Sequence, residues 1–370
     1  MYWQKTMYRG ILAAGVLLAL HTGFTQAAPI TIEEQGSFTV GGSYKQHDGT
    51  WKQENFVSED GQRAYGDFAY VEYQKPVKAK KLPLIFQHGG AQSKRTWESG
   101  PDGREGFNTM FLRAGYSVYL VDQPRSGESN LSTEAVTPDT PWASNPMYGD
   151  KTLYVLSRIG HYDEKGNPVP NAQFPAGEAN YQAFQQSWTI GSGPLDNDLN
   201  ADVLSKLFNQ QKDGAILVSH SMGGTIGWRT VLRTDKVKAI IAYEPGGTPF
   251  LFPETEMPKI RSARFKALTA SAMGVPMGDF LKLTKIPIIL YYGDYIRIGS
   301  ENVGEDKWGT EYAMAQQFVE TINRHGGDAT LVHLPDIGIK GNSHFLMQEK
   351  NNREILELAL KWLHEKGLDK

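Results

Sequence analysis

The stretch LVSHSMGGTIG, residues 217–227, ends an apolar run in three polar residues and then continues into glycine. Residues 215–218 read Ala-Ile-Leu-Val, as in a strand that is buried on both faces. The next five, Ser219 to Gly223, match a nucleophile elbow with serine in place of the first glycine. In such a turn, the free amides of the following helix point at the serine. The stretch therefore predicts Ser221 as a nucleophile, and a serine that only caps a helix is the alternative.

Apolar, β-branched runs recur on both sides of this stretch. The predicted strands cover residues 83–87, 116–121, 215–218, 237–243, 286–292 and 329–334. Apolar stripes at helical spacing lie within residues 199–208, 315–322 and 355–363. Strands that alternate with helices predict a mostly parallel sheet with helices on both faces. Residues 30–76 alternate with a shorter period and predict a leading antiparallel pair of strands.

Two segments interrupt the alternation. Residues 127–194 are rich in proline, asparagine and aromatic side chains, and residues 248–285 carry a weak helical pattern. Long irregular insertions in a compact domain are commonly lids or binding loops, and a surface excursion with its own small core is the alternative. Because we find neither an internal repeat nor a low-complexity linker, we expect residues 28–370 to form a single domain with two lid-like insertions.

The first residues have the pattern of a secretory signal peptide. Lys5 and Arg9 precede a ten-residue apolar run at 11–20, and Thr25-Gln26-Ala27 offers small residues at a cleavage site. The run is too short to span a membrane, and the chain has no cysteine to carry a lipid anchor. We expect residues 1–27 to be removed and the mature protein to be secreted or periplasmic, without stable membrane insertion. An uncleaved anchor is the alternative.

Composition and charge exclude several classes of protein. A content of 40% hydrophobic and 21% charged residues is that of a globular chain and not of a disordered one. The formal charge of −3, which becomes −5 when Lys5 and Arg9 are lost, gives no sign of nucleic-acid binding. We find no zinc-protease pattern, no phosphate-binding glycine loop and no dinucleotide fingerprint, so we expect neither a metal nor a cofactor. None of these features indicates an oligomeric state.

A nucleophilic serine needs a base to accept its proton and an acid to orient that base. The base is expected after the last strand, where residues 341–344 read Gly-Asn-Ser-His and point to His344. Two carboxylates could be the acid. Glu244 follows the sixth predicted strand and Asp294 follows the seventh, and both turns lie on the sheet edge expected to face the histidine. The chemistry of a carboxylate does not choose between them.

Taken together, these motifs resemble the α/β-hydrolase superfamily, and more narrowly a small group of secreted bacterial esterases. The similarity spans most of residues 80–365. Its motifs are His88-Gly89, Trp97-Glu98, Val121-Asp122-Gln123, Ser219-His220-Ser221, Glu244-Pro245, Gly341-Asn342-Ser343-His344, Met347-Gln348 and Asn351-Asn352. In that group the acid is a glutamate after the sixth strand, which favours Glu244 over Asp294. The chain departs from the group at Gly90-Ala91, where members can carry paired cysteines.

The resemblance implies an α/β-hydrolase fold and hydrolysis of a small-molecule carboxylic ester through an acyl-enzyme. Its triad would be Ser221, His344 and Glu244, with Asp294 as the alternative acid. The backbone amides of Gly90 and Met222 are the expected oxyanion hole. An acyltransferase or a peptidase with the same triad, or a non-catalytic binding protein on a hydrolase fold, are the alternative functions.

Overall fold

The structure is a computed structural model of the chain, and it describes residues 28–134 and 149–370. Residues 31–370 form one compact unit. The expected signal peptide at residues 1–27 lies outside the described residues, and so do residues 135–148 of the first insertion.

The compact unit is built on an eight-stranded sheet. Its strands are β1 (Ile32–Gln46), β2 (Arg63–Pro76), β3 (Leu84–Gln87), β4 (Val118–Asp122), β5 (Ala215–His220), β6 (Val237–Tyr243), β7 (Pro287–Tyr292) and β8 (Asp328–His333). They lie in the order β1-β2-β4-β3-β5-β6-β7-β8. Strand β2 is antiparallel to β1 and to β4, and the pairs from β4 to β8 are parallel. The predicted mostly parallel sheet and its leading antiparallel pair are confirmed.

Helices flank the sheet on both faces, as predicted. They are α1 (Phe107–Arg113), α2 (Asp150–Leu156), α3 (Glu178–Gln186), α4 (Asn197–Asn209), α5 (Gly223–Val231), α6 (Met277–Leu283), α7 (Val303–Arg324) and α8 (Asn352–Glu365). The three predicted apolar stripes lie on α4, α7 and α8. Helix α7 begins well before its stripe, because the Asn302 side chain accepts hydrogen bonds from the amides of Gly304 and Glu305 and so caps the helix there.

The core lies on the two faces of the central strands. All six residues of β5 are buried, and in β6 only Lys238 is partly exposed. A strand that is covered on both faces has no solvent-exposed side, so its sequence is a continuous apolar run. Because these strands are parallel, the polar residues that follow β3, β5, β6 and β7 lie together at the carboxyl ends of the strands.

Both insertions have regular structure where the sequence suggested irregular loops. The first contains α2, α3 and an antiparallel ribbon of Gly160–Tyr162 and Pro168–Pro170. The second contains a parallel ribbon of Phe250–Pro253 and Ala272–Val275, followed by α6. Short ribbons and helices of seven to nine residues have weak sequence periodicity, which is why the pattern did not predict them.

Candidate active site

Ser221 lies in the turn between β5 and α5 with a strained backbone. Its φ angle is 53°, in the left-handed region that residues with a side chain rarely adopt. Three hydrogen bonds hold this conformation. The Ser221 amide donates to the Tyr243 carbonyl at 3.0 Å, and the Ser221 carbonyl accepts from the amides of Gly224 at 3.0 Å and Gly246 at 3.2 Å. Hydrogen bonds to the end of β6, to the turn after it and to the start of α5 thus hold the strained turn. Ser221 faces the cavity described below.

The start of α5 approaches β3 closely beside this turn. A Cβ atom at Gly223 would lie 2.7 Å from the His88 carbonyl oxygen, so a larger residue would push the helix away from the strand. On the other side of the serine, Ser219 is completely buried. The small residues two places before and two places after Ser221 therefore satisfy the steric requirement of the elbow.

The structure brings His344 and Glu244 together. His344 Nδ1 lies 3.2 Å from Glu244 Oε2, and His344 lines the same cavity as Ser221. Glu244 is completely buried and follows β6 with a φ of 50°. Its other oxygen, Oε1, accepts from the Gly293 amide and, at 2.7 Å, from Arg158 Nη2. Both carboxylate oxygens are thus held by donors that fix the direction in which the acid faces the imidazole.

Asp294 lies beneath the loop that carries the histidine. Its Oδ1 accepts from the Tyr295 amide at 2.7 Å and its Oδ2 from the Gly341 amide at 3.0 Å. The Asp294 amide in turn donates to the Asn342 carbonyl at 2.9 Å. These bonds tie the turn after β7 to the backbone of the histidine loop.

The imidazole of His344 is surrounded by apolar and positively charged groups. The Trp308 ring lies 3.8 Å from it, measured between ring centroids. Burial, with the positive charges of Arg158 and Lys307, lowers the pKa of His344 well below its usual 6.5. The ring is therefore neutral at pH 7 and available to accept a proton.

Buried polar side chains form hydrogen bonds that hold the histidine loop in place. Glu349 accepts from the Ser343 amide and from Asn342 Nδ2, both at 2.7 Å. Burial raises the pKa of Glu349 from 4.5 to about 7. On the opposite side, His220 Nε2 lies 2.9 Å from the His344 carbonyl oxygen. The position of the histidine thus depends on side chains from both the elbow and the segment just before α8.

The expected oxyanion amides of Gly90 and Met222 lie at the same cavity. Among the described residues, neither amide has a protein acceptor. A Cβ atom at Gly90 would collide with the Met222 sulfur, so a larger residue there would force the methionine side chain to move. The neighbouring His88 is buried, with Nδ1 2.7 Å from the Gly89 carbonyl oxygen and Nε2 3.4 Å from the Gln123 amide. These contacts hold the loop in the absence of cysteines.

These groups face a cavity of about 410 Å³. Its walls are mainly apolar and come from both insertions as well as from α7. The first insertion supplies Leu153, Leu156 and Trp188, and the second supplies residues 267–269 and Ser271. Cavities of this size suit small organic ligands. Both insertions therefore contribute to the space in which a substrate would lie.

The part of the chain that the structure describes contains no group of three or more His, Cys, Asp or Glu side chains arranged to hold a metal ion. Nor does any helix within residues 28–134 and 149–370 have the length and apolar character needed to cross a membrane.

Comparison with known proteins places this arrangement in a family. The family model described as "Alpha/beta hydrolase family" matches residues 84–358, from β3 into α8. The chain belongs to the alpha/beta hydrolase family. This confirms the family resemblance seen in the sequence.

Two relatives of this hydrolase cover most of its length. A solved structure described as "The Atomic Resolution Structure of a Novel Bacterial Esterase" has a TM-score of 0.70 and 28% identity, and the alignment covers 92% of this chain and 98% of that one. A protein described as "Probable secreted lipase phiG", from Fungal sp. (strain ATCC 74256), is 28% identical in an alignment of 336 residues, and the alignment covers 80% of this chain and 85% of the relative.

The sequence did not predict three residues of this hydrolase's site. Arg158 lies 86 positions before Glu244 in the first insertion, where no motif surrounds it. Trp308 and Lys307 lie on the first turns of α7, before the apolar stripe from which the helix was inferred. The pattern Asn302-Val303-Gly304-Glu305 resembles a helix cap and was the available signal for these two.

Proposed function

We propose that this alpha/beta hydrolase is a secreted serine carboxylesterase. Ser221 is the nucleophile, His344 the general base and Glu244 the acid that orients it. The observation that carries the proposal is the contact of His344 Nδ1 with Glu244 Oε2. His344 and Ser221, whose backbone is strained, line the same cavity. The relatives described as an esterase and as a secreted lipase support it, and the expected signal peptide at residues 1–27 supports secretion.

The mechanism follows from these roles. His344 takes the proton from Ser221 Oγ as that oxygen attacks the ester carbonyl. The negative charge that develops on the carbonyl oxygen is stabilised by the amides of Gly90 and Met222, at about 3 kcal/mol for each donor. The alcohol leaves with the proton from His344, and water, activated by the same ring, releases the acid and restores Ser221.

Glu244 acts on the imidazole in two ways. Its Oε2 accepts a hydrogen bond from Nδ1–H, which keeps the proton on Nδ1 and leaves Nε2 free to accept the serine proton. Its charge also stabilises the imidazolium that forms in the transition state. Gly293 and Arg158 hold the opposite oxygen, so the carboxylate cannot rotate away from the ring.

A fluorophosphonate probe and a panel of 4-nitrophenyl esters test the proposal. We expect Ser221→Ala to lose probe labelling and to lower ester hydrolysis by roughly 10⁴ or more while remaining folded. Ser219→Ala is the matched control, because Ser219 is buried two residues away and its hydroxyl has no partner among the described residues. Labelling that persists in Ser221→Ala, or that disappears in Ser219→Ala alone, would assign the nucleophile elsewhere.

The same panel separates the remaining functions. Faster cleavage of matched anilides than of esters would indicate a peptidase, and transfer to an added alcohol in preference to water would indicate an acyltransferase. A wild-type protein that neither hydrolyses esters nor binds the probe would be a binding protein. Mass spectrometry of the exported protein tests secretion, with a mature N-terminus expected near Ala28 and a retained Met1 as the contrary result.

A further inference from the structure

An ion pair lies in the wall of the apolar cavity. Glu311 lies one turn after Lys307 on α7, and Lys307 Nζ is 3.2 Å from Glu311 Oε1. Both residues line the cavity. The Lys307 side chain is 11% exposed and the Glu311 side chain 3%. Removing two charges from water costs several kcal/mol, which their attraction rarely exceeds. Stability alone therefore does not account for two charges in this wall.

The carboxylate of this pair is fixed by the backbone. Glu311 Oε1 accepts from the Gly247 amide at 2.8 Å as well as from Lys307. The ammonium is held over an aromatic ring, since Lys307 Nζ lies 3.6 Å from the centroid of Trp308. An ammonium has three N–H donors. Among the described residues Nζ has no acceptor other than Glu311, so a donor remains for a ligand in the cavity.

The free donor lies close to the reacting centre. A Cβ atom placed at Gly247 would lie 3.3 Å from Met222 Cγ and 4.0 Å from Lys307 Nζ. These two distances place the ammonium no more than about 7 Å from the side chain of Met222, whose amide we assign to the oxyanion hole. Lys307 Nζ also lies 3.6 Å from the Trp308 ring centroid, which is 3.8 Å from that of His344, so a substrate group a few bonds from the ester carbonyl can reach the ammonium.

The charges around the cavity favour a neutral partner. The positive charge of Lys307 is balanced by Glu311, and that of Arg158 by Glu244. A carboxylate on the substrate would leave one unbalanced negative charge in a buried site, whereas a neutral oxygen accepts the hydrogen bond without changing the balance. We propose that Lys307 binds a carbonyl or ether oxygen near the ester group, so that oxygenated esters are the preferred substrates. This inference rests on the proposed esterase function.

Matched substrates and two variants test the role of Lys307. The substrates are 4-nitrophenyl hexanoate, its methoxyalkanoate and oxoalkanoate analogues of equal length, and the mono-4-nitrophenyl ester of glutaric acid. The variants are Glu311→Gln, which keeps the acceptor for Gly247, and the double variant Lys307→Met with Glu311→Gln, which removes both charges. Each preference is a ratio of kcat/KM values, and comparison of ratios between proteins cancels the intrinsic reactivity of each ester.

We expect the wild-type protein to prefer an oxygenated ester over the hexanoate, and the double variant to lose roughly tenfold or more of that preference. Glu311→Gln keeps the ammonium and should keep the preference. Because this variant leaves Lys307 unbalanced, its relative activity on the anionic glutarate monoester should rise about tenfold.

Two results would overturn the inference about Lys307. One is an equal preference for oxygenated esters in the wild-type protein and the double variant, which would make the ion pair purely structural. The other is a wild-type preference for the glutarate monoester that the double variant loses, which would make the ligand a carboxylate. Failure of the proposed function looks different, because the wild-type protein would then hydrolyse none of these esters.

Discussion

The substitution Glu244→Gln should cost stability as well as activity, and the two losses can be separated. Glu244 and Arg158 form an ion pair at 2.7 Å in which the two side chains are 0% and 1% exposed. Arg158 Nη1 has no hydrogen-bond partner among the described residues, so no protein acceptor there offsets part of the guanidinium charge. Removing one partner of a buried pair typically costs about 3–5 kcal/mol, because the other charge stays buried without compensation.

The expected change in melting temperature follows from the size of the folded unit. An unfolding entropy of about 2.1 cal/mol/K per residue gives about 0.7 kcal/mol/K for the roughly 340 residues of the compact unit. A loss of about 3–5 kcal/mol therefore lowers Tm by roughly 4–7 °C. Activity should fall by about 10⁴, because a glutamine NH₂ donates to His344 Nδ1 and leaves the proton on the nitrogen that faces the serine.

The double variant Arg158→Met with Glu244→Gln separates these effects. With both charges gone, most of the lost Tm should return, since no charge then stays buried without a partner. Activity should not return, because the acid is still absent. Circular dichroism melting and kcat/KM on one ester, measured for the three proteins, provide the comparison.

The pair of Arg125 and Asp67, whose hydrogen bonds among the described residues do not include Ser221, His344 or Glu244, is the matched control. Arg125 Nε donates to Asp67 Oδ1 at 2.7 Å, and the side chains are 7% and 6% exposed. Asp67→Asn should lower Tm without a large loss of activity. The reasoning about Glu244 is refuted if Glu244→Gln keeps more than a tenth of the activity, and that about Arg158 is refuted if the double variant melts no higher than Glu244→Gln.

Three further predictions concern the histidine and its loop. Asp294→Asn should lower kcat/KM by roughly ten- to a hundredfold, the scale seen for groups that orient metal ligands, because Asp294 supports the loop and does not touch the imidazole. The acid limb of the pH profile of kcat/KM should lie below pH 6.5, since the pKa of His344 is lowered, and Arg158→Met should move it to higher pH by removing a positive charge. The pKa of Glu349 is raised in the folded protein, so the folded state holds this proton more tightly than the unfolded chain does. The free energy of unfolding should therefore decrease as pH rises from about 4.5 through about 7. Urea unfolding should show a smaller decrease for Glu349→Gln.

Each of these has a clear contrary result. A loss near 10⁴ for Asp294→Asn in a folded protein would make Asp294 the acid. An acid limb above pH 6.5 would mean that the negative charge of Glu244 outweighs burial at His344. Stability that falls equally in Glu349→Gln between pH 4.5 and 7 would assign the effect to another group.

The sequence predicted the parts of the site that lie at the ends of buried strands. Strand β5 leads directly to Ser221 and β6 directly to Glu244, so an apolar run followed by a polar residue marks both positions. The strain at Ser221 was also predictable, because the elbow motif specifies it.

Arg158 was not predictable in this way. Its partner lies 86 residues away, and the contact depends on how the first insertion folds over the sheet. A long-range ion pair leaves no local pattern, unlike a helix cap or an apolar stripe. Which of Glu244 and Asp294 contacts His344 was not predictable from the residues for the same reason, since both carboxylates follow neighbouring parallel strands.

The two insertions differ in how far the protein could tolerate their exchange. The first contacts the proposed triad through Arg158 on Glu244 and through the Ser157 carbonyl, which accepts from the His344 amide at 3.0 Å. The second, residues 248–285, lines the cavity, and none of its hydrogen bonds among the described residues reaches the triad. An exchange of the second insertion would therefore leave the hydrogen bonds of the proposed triad in place, although the new segment must replace the core side chains that this insertion supplies, among them Phe250, Phe252 and Phe280. A graft of the first insertion succeeds only if the donor segment brings its own counterion for the acid.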